Sequence, residues 1–548
     1  MTPTISTPSQ LHDGVANALR AIEALESAYE TITVAQLVSM RARTHGSTIA
    51  IDIFERGERA TYSEMDRRSD QCARALRCFG VRKGDHVAAM LPNRIEFPIL
   101  WFACAKLGAV LVAINMRYTS NELEYVLSDA QAKFAIVDES VWPVLSAMDP
   151  WPHSLVKERV IVVGQPSNRA ATTLDELLKG VDESEATVDV RPDDLLNIQY
   201  TSGTTGVPKG CMLTHDYWGV QSYVYAHEDR QPYKTYLCWW PLFYVDGLVT
   251  LLRSYRQGGT LYVAQQLDLR HFVSWLKMYR IEWCALPKLI LEAADLGSTY
   301  LKEVWQSGAW TAETIRRCRE HFGVRVQSPY GMTEIGCGTT LITHERDELA
   351  GWGSVGIRAP FRALQLINED GSPTPVGETG ELWVRGRGIF NGYWNKPHAN
   401  ALSFEGEWFK TGDLFRCDAL GFHWVVGRKA DTIRRSGDNI PAREVEAVIR
   451  ELPEVAEVAA VPVRDEGRGE EIKICVQLKE GVTPGDLPVE RILEHALSRL
   501  AMFKVPRYIA FTPALPRTTS SNKVVKHELM NVADPLAGSY DCQEKRWR

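Results

Sequence analysis

The chain has 548 residues, 45% hydrophobic and 24% charged, a composition that excludes a disordered or fibrous protein and a length several times that of a single domain. A net charge of −7 without any long basic run excludes an electrostatic footprint for nucleic acid or an anionic membrane surface, and leaves a small-molecule partner as the expectation. The eleven cysteines are scattered, with no CxxC pair and no zinc-ligand spacing, so reduced thiols in a cytoplasmic protein are expected.

Residues 1–13 are polar and lack the basic, apolar and small-residue succession of a secretory signal, which predicts a frayed extension. From Ala60 onward the pattern alternates helix with strand. Ser63 is placed to cap a helix ending near Gly80, and residues 87–91 form a short buried strand. The most apolar stretch, 97–114, is interrupted by Pro98, Lys106 and Gly108, so it reads as a buried helix, a glycine stop and a buried strand rather than an integral membrane segment. Strand-like runs at 134–137, 159–163 and 195–200 and a helical stretch at 271–279 continue the rhythm. The predicted fold class is α/β, with doubly wound subdomains built on parallel sheet. After Gly427 a basic, turn-prone segment leads to strands at 457–463 and 472–478 and an amphipathic helix at 489–500. The expected division is a large N-terminal domain, residues 1–428, and a small C-terminal α+β domain, residues 429–548.

Residues 200–210, Tyr-Thr-Ser-Gly-Thr-Thr-Gly-Val-Pro-Lys-Gly, carry the most chemistry. Gly203 lets backbone approach an anion, the hydroxyls of Thr201, Ser202, Thr204 and Thr205 can donate to phosphate oxygens, and Lys209 adds positive charge. The pattern is not GxxxxGK[ST], because Pro208 precedes the lysine and Gly210 follows it. A Gly/Ser/Thr turn alone is ordinarily a solvent loop. Here it is followed, in order, by Tyr330-Gly331-Met332-Thr333-Glu334, by the run from Trp408 to Asp413, by Gly427-Arg428-Lys429-Ala430-Asp431, and by the run from Pro516 to Lys523.

Together these motifs resemble those of the adenylate-forming superfamily, which comprises acyl-CoA synthetases, nonribosomal-peptide adenylation domains and luciferases. The resemblance extends over roughly residues 37–529. It implies ATP, Mg²⁺ and coenzyme A as cofactors and co-substrates, activation of a small carboxylate as its acyl-AMP, transfer to the CoA thiol, and a mobile C-terminal domain. By the same resemblance Thr333 contacts the α-phosphate and Glu334 helps hold Mg²⁺. Asp413 meets the ribose and Arg428 is a second ribose or phosphate contact, while Ser307, Gly308, Ala309 and Tyr330, with Gly331 and Met332 beside it, surround adenine. Lys523 bridges carboxylate and phosphate. Gly437 and Tyr244 line the thiol tunnel, Tyr244 standing where many relatives have histidine. Two positions depart from the pattern: Asn522 replaces the usual glycine before the lysine, and Ala430 replaces the polar hinge residue.

The acyl pocket is assigned to Trp239, Trp240, Tyr244, Val245, Asp246 and Trp310. A buried Asp246 would need a partner, and a cationic substrate group could supply one, with aromatic faces nearby to attract an onium group. This region resembles crotonobetaine/carnitine-CoA ligases, so a betaine-type acid is expected, with a neutral aryl or short acyl acid as the alternative. A stand-alone adenylation enzyme loading carrier-protein phosphopantetheine is the other reading of the same motifs. A homodimer is compatible with either.

Overall fold

The alternating apolar runs become two parallel sheets in the protein, whose structure, a computed structural model, describes residues 8–166, 172–182, 188–201, 208–227, 231–287, 290, 299–307, 315–316, 318, 320, 323–340, 354–435, 438–465, 468–517 and 524–548. The first sheet has the order Thr172–Thr173, Val160–Val163, Phe134–Asp138, His86–Met90, Val110–Ala113, Leu195–Thr201, Lys209–Thr214, parallel except at the last pair. The second has the order Arg325–Gln327, Glu303–Ser307, Trp283–Pro287, Thr235–Cys238, Thr260–Val263, Ile49–Ile53, Glu58–Thr61, again parallel except at the last pair. Strands His86–Met90, Val110–Ala113 and Phe134–Asp138 are buried at every position, as parallel strands covered on both faces must be.

The covering helices follow from local signals. Residues 97–114 fold as read: helix Glu96–Leu107 is closed by Gly108 at φ 66°, before strand Val110–Ala113. Among the described residues no helix is long and apolar enough to cross a membrane. Helix Tyr62–Phe79 ends at Gly80 as expected, but its cap is Thr61 and not Ser63. Thr61 closes the preceding strand in extended geometry, its hydroxyl accepts from the Glu64 amide at 3.2 Å, and the Glu64 carboxylate accepts from the Thr61 amide at 2.8 Å. That reciprocal pair starts the helix two residues earlier and leaves Ser63 in its first turn.

Helices Glu96–Leu107 and His215–His227 are buried on nearly all faces, which marks them as interior rather than surface helices. Trp101 donates to Asn197 of the first sheet at 2.7 Å, and its ring lies 5.1 Å from that of Trp218. A second interior feature is the fully buried Arg253. Its guanidinium sits 4.4 Å from the Trp283 ring, 5.4 Å from Trp305 and 5.6 Å from Tyr233, with Glu303 at 3.6 Å. None of the eleven cysteines is in a disulfide.

The chain divides into two compact units, one of Met1–Leu364, Val384–Phe409 and Asp418–His423, the other of Gln365–Trp383, Lys410–Cys417 and Trp424–Arg548. The second unit contains a sheet ordered Asp438–Pro441, Thr432–Arg435, Gly469–Leu478, Tyr508–Phe511, Ser539–Asp541, Arg546–Trp547, with Val455–Asp465 antiparallel to Gly469–Leu478. Helices Ala442–Ile449 and Val489–Arg499 cover it, burying Val445, Ile449, Ile492 and Ala496 against Ile433, Ile474 and Ile509. The fold class is therefore as predicted, α/β in the large N-terminal part and α+β in the smaller C-terminal part.

His215, which opens its helix, is fully buried and accepts from the Val34 amide at Nδ1, 3.2 Å away. Burial pulls its pKa down to about 4. The unfolded chain then binds a proton that the folded chain refuses, so this stability is complete above pH 6.5 and is lost as pH falls toward 4, by roughly 3 kcal/mol. Thermal melting followed across that interval should fall more steeply in the wild type than in His215→Gln.

Candidate active site

The end of the phosphate-loop motif is held by backbone pairing on two sides. Strand Lys209–Thr214 runs antiparallel to Leu195–Thr201, with Thr201 opposite Lys209. On its other side the Met212 amide donates to the Gly392 carbonyl at 3.0 Å, the Asn391 amide to Met212 at 2.9 Å and the Trp394 amide to Gly210 at 2.8 Å. Both ends of the loop are fastened by side chains as well. The Tyr200 hydroxyl donates to Asp129 at 2.7 Å, and the Tyr125 hydroxyl donates to the Pro208 carbonyl at 3.1 Å. Asp129 also binds Lys396.

Thr333 and Glu334 occupy the turn between strands Gly331–Met332 and Gly336–Cys337. Gly336 has φ 62°, and a Cβ there would lie 2.0 Å from the Gln221 side chain, so only glycine closes this turn. Gln221 accepts from the Cys337 amide at 2.9 Å and donates to the Gly388 carbonyl at 3.0 Å and the Ile335 carbonyl at 3.5 Å. Arg362, also buried, donates to the Ile335 carbonyl at 2.7 Å and to the Gly388 carbonyl at 3.2 Å. The Tyr217 hydroxyl donates to the Thr333 carbonyl at 3.0 Å. Tyr330 is fixed by its own amide on the Thr339 hydroxyl at 3.0 Å.

These pieces meet at Tyr393. Its hydroxyl donates to Glu334 Oε1 at 2.8 Å, and Lys209 Nζ lies 4.4 Å from the centre of its ring. Glu334 is 6% exposed. The Cys211 thiol, pushed well above its ordinary pKa by burial and by the charge of Glu334, hydrogen-bonds that carboxylate and is an inert, protonated neighbour. Among the described residues no group of three or more His, Cys, Asp or Glu could hold a metal ion. A single buried carboxylate suits Mg²⁺, which takes one or two protein carboxylates and completes its shell with phosphate oxygens and water.

Of the residues assigned to the acyl pocket, Tyr244, Val245 and Asp246 stand at the start of helix Val245–Gln257. Tyr244 is its N-cap, and its hydroxyl accepts from Asn115 at 2.9 Å. Burial, with a contribution from Asp246, pushes the Tyr244 pKa up to about 12. Asp246 is exposed, contrary to the buried position expected of it. The first turn of a helix stabilises a carboxylate through its unpaired amides, and this one is open to solvent, so burial is not required. Trp239 donates to the Ala285 carbonyl at 2.7 Å and packs on the core of the second sheet, with the Trp240 ring 5.0 Å away. Asn93 pins this segment, donating to the Trp240 carbonyl at 3.1 Å and accepting from the Leu242 amide at 2.8 Å.

In the other unit Asp413 is buried and ion-paired through Oδ1 with Arg428 Nε at 2.8 Å. Gly412, at φ 71°, turns the chain immediately before it. Ala430 lies in the short 3-10 turn Lys429–Asp431, and Lys526 binds Glu446 at 2.7 Å and Asp431 at 3.6 Å. Ser307 ends strand Glu303–Ser307. Ser202, Gly203, Thr204, Thr205, Gly308, Ala309, Trp310, Gly437 and Lys523 lie outside the described residues. Sequence reading missed Tyr393, Gln221, Arg362, Asn93 and Asn115. Of these only Tyr393 had a local signal, an aromatic pair after Gly392, and nothing in it pointed to Glu334.

The chain belongs to the AMP-binding enzyme family: residues 38–394 match that family, and residues 444–522 match the AMP-binding enzyme C-terminal domain. It is thus a member of the adenylate-forming superfamily. It is 32% identical to the long-chain-fatty-acid–CoA ligase FadD13 of Mycobacterium tuberculosis over 480 residues, 85% of this chain and 92% of that protein. It is 30% identical to a crotonobetaine/carnitine–CoA ligase of Escherichia coli over 494 residues, 86% of this chain and 93% of that one. The o-succinylbenzoate CoA synthetase (MenE) of Bacillus subtilis, solved with its acyl-adenylate intermediate, has a TM-score of 0.79 at 27% identity, covering 91% of this chain and 98% of its own; it has also been solved with ATP and a magnesium ion.

Arg362→Met removes a buried charged donor from the Ile335 and Gly388 carbonyls. Urea denaturation should register a loss of about 2 to 3 kcal/mol, with Arg362→Lys recovering only part, because an ammonium cannot span both acceptors in the guanidinium's plane.

Proposed function

We propose that the protein is an ATP-dependent, AMP-forming acyl-CoA ligase of the cytoplasm. The observation that carries this reading is the linkage of Lys209, at the end of the phosphate-loop motif, to Glu334, a buried carboxylate suited to Mg²⁺, through the single side chain of Tyr393. A carboxylate oxygen attacks the α-phosphorus of ATP, the bond to the bridging oxygen breaks and pyrophosphate leaves. The CoA thiol then attacks the acyl carbon, and AMP leaves. Two anions must be held in contact for the first step, so fixed positive charge and oriented donors are the main requirement.

In this reading Thr201, Ser202, Gly203, Thr204, Thr205 and Lys209 cradle the phosphates, and Thr333 contacts the α-phosphate. Glu334 would hold Mg²⁺, which when bound neutralises phosphate charge. Ser307, Gly308, Ala309 and Tyr330 receive adenine, and Asp413 with Arg428 receives the ribose. Lys523 supplies a mobile point charge where carboxylate and phosphate meet. The division into residues 1–428 and 429–548, rotation about the turn at Ala430, and a thiol tunnel lined by Gly437 and Tyr244 belong to the same proposal. The test is acid-dependent exchange of pyrophosphate into ATP, followed by thioester formation on adding CoA. Lys523→Ala should lose most of the exchange and keep much of the thioester formation from supplied acyl-AMP. ATP binding without exchange for any carboxylate in a broad panel would overturn the reading, and transfer to a carrier protein in preference to CoA would redirect it.

For the acid we propose a small carboxylate bearing an onium group. Support comes from Asp246, a carboxylate beside Tyr244 in the first turn of its helix, and from the paired rings of Trp239 and Trp240. The similarity to a crotonobetaine/carnitine–CoA ligase, 30% identical, points the same way, and the similarity to a long-chain-fatty-acid ligase, 32% identical, and to o-succinylbenzoate CoA synthetase, 27% identical, keeps a neutral acid as the competing outcome. Betaine-type acids should be used with kcat/KM about tenfold above their neutral isosteres, a preference worth about 1.4 kcal/mol. Asp246→Asn should erase it. Wild-type preference for the neutral acid, or a preference untouched by the substitution, would reject the onium pocket and leave the ligase assignment standing.

A further inference from the structure

We infer that Tyr393 is a positioning residue for nucleotide activation, fixing Glu334 with its hydroxyl and Lys209 with its ring. The inference rests on the proposed roles of Glu334 and Lys209, and it assigns a function to a residue in none of the motifs that define the site. Three observations carry it.

The first is that the side chain is held rigidly before any ligand arrives. Tyr393 is 5% exposed, and its backbone pairs with Cys211. Its amide donates to Asn400 Oδ1 at 2.7 Å, and Asn400 Nδ2 donates back to its carbonyl at 2.9 Å. The Phe390 ring meets it edge-on at 5.0 Å.

The second is the bond itself. A phenol donating to a buried carboxylate at 2.8 Å is a charge-assisted hydrogen bond. It commits Oε1 to the protein and so decides how the carboxylate is presented to a cation. Carboxylates that bind metals are generally oriented by such outer hydrogen bonds, whose loss costs metal affinity or activity by about 10- to 100-fold.

The third is that the same ring receives Lys209. An ammonium 4.4 Å from the ring centre is attracted by the aromatic face, which fixes a flexible four-carbon chain on the same ring whose hydroxyl holds Glu334. Phenylalanine could carry the lysine but not orient the carboxylate, and a shorter donor could not carry the lysine.

The test compares Tyr393→Phe, Tyr393→Leu, Phe390→Leu and Glu334→Gln. Two quantities are read: binding of Mn²⁺ with a non-hydrolysable ATP analogue, by electron paramagnetic resonance, and the Mg²⁺ concentration giving half-maximal pyrophosphate exchange. In Tyr393→Phe both metal constants should weaken on the order of tenfold, while thioester formation from supplied acyl-AMP stays at the wild-type rate. Tyr393→Leu should add a rise in the KM for ATP. Phe390→Leu loosens the packing on the same ring and keeps the hydroxyl, so it should lower the melting temperature and leave the metal constants alone. Wild-type metal constants in Tyr393→Phe, or an equal shift in Phe390→Leu, would overturn the inference. Unchanged metal constants in Glu334→Gln would instead remove the metal-site reading on which it rests.

Discussion

Strand Lys209–Thr214 is hydrogen-bonded along both of its edges, and the arrangement of the N-terminal site depends on that constraint. A terminal strand of a sheet ordinarily exposes a row of backbone donors and acceptors that must be covered or left to solvent. Here the segment 391–394 covers them. It arrives with its register already set by three backbone bonds, so the side chains of Tyr393 and Trp394 are delivered to fixed places. Tyr393 reaches Glu334, and Trp394 donates at 3.1 Å to the carbonyl of Asp129, the same residue that fastens Tyr200. The chemistry of the loop end and the geometry of the Thr333-Glu334 turn are therefore consequences of one stretch of main-chain pairing.

What the sequence made legible was whatever its signals keep local. Buried strands such as His86–Met90 are continuous apolar runs, and Gly80 and Gly108 stop their helices through left-handed backbone. The helix cap at Thr61 is equally local, since Glu64 follows it at the spacing of a capping box, but Ser63 offers a competing hydroxyl two residues on. The motif residues were readable because they are contiguous. Tyr393 was not, because it lies 59 residues from Glu334 and its role exists only through that contact. Asp246 was expected to be buried because its segment resembles the pocket lining of relatives, yet it is exposed in the first turn of its helix.

The aromatic residues carry a similar lesson. A sequence with 16 tryptophans and 19 tyrosines suggests a cage for a cation, and the fold does build one, around its own Arg253. Trp283 donates to Glu303 at 3.3 Å inside that cluster, so the cage is also charge-balanced. Buried ion pairs with such partners are costly to break and often close to neutral when replaced whole. Aromatic abundance therefore describes the interior of this enzyme as much as any pocket, and the pair Trp239 and Trp240 has weight only through its position beside Tyr244 and Asp246.

Gln221 and Arg362 lie on different elements, 141 positions apart in the chain, yet they share two acceptors, the carbonyls of Ile335 and Gly388. Each oxygen has two lone pairs, and each side chain fills one of them. Removing either donor leaves both carbonyls half-satisfied, and removing the second then costs less than the first, because the turn has already been released. The two side chains are thus one energetic unit, whose joint replacement costs less than the sum of the two single replacements.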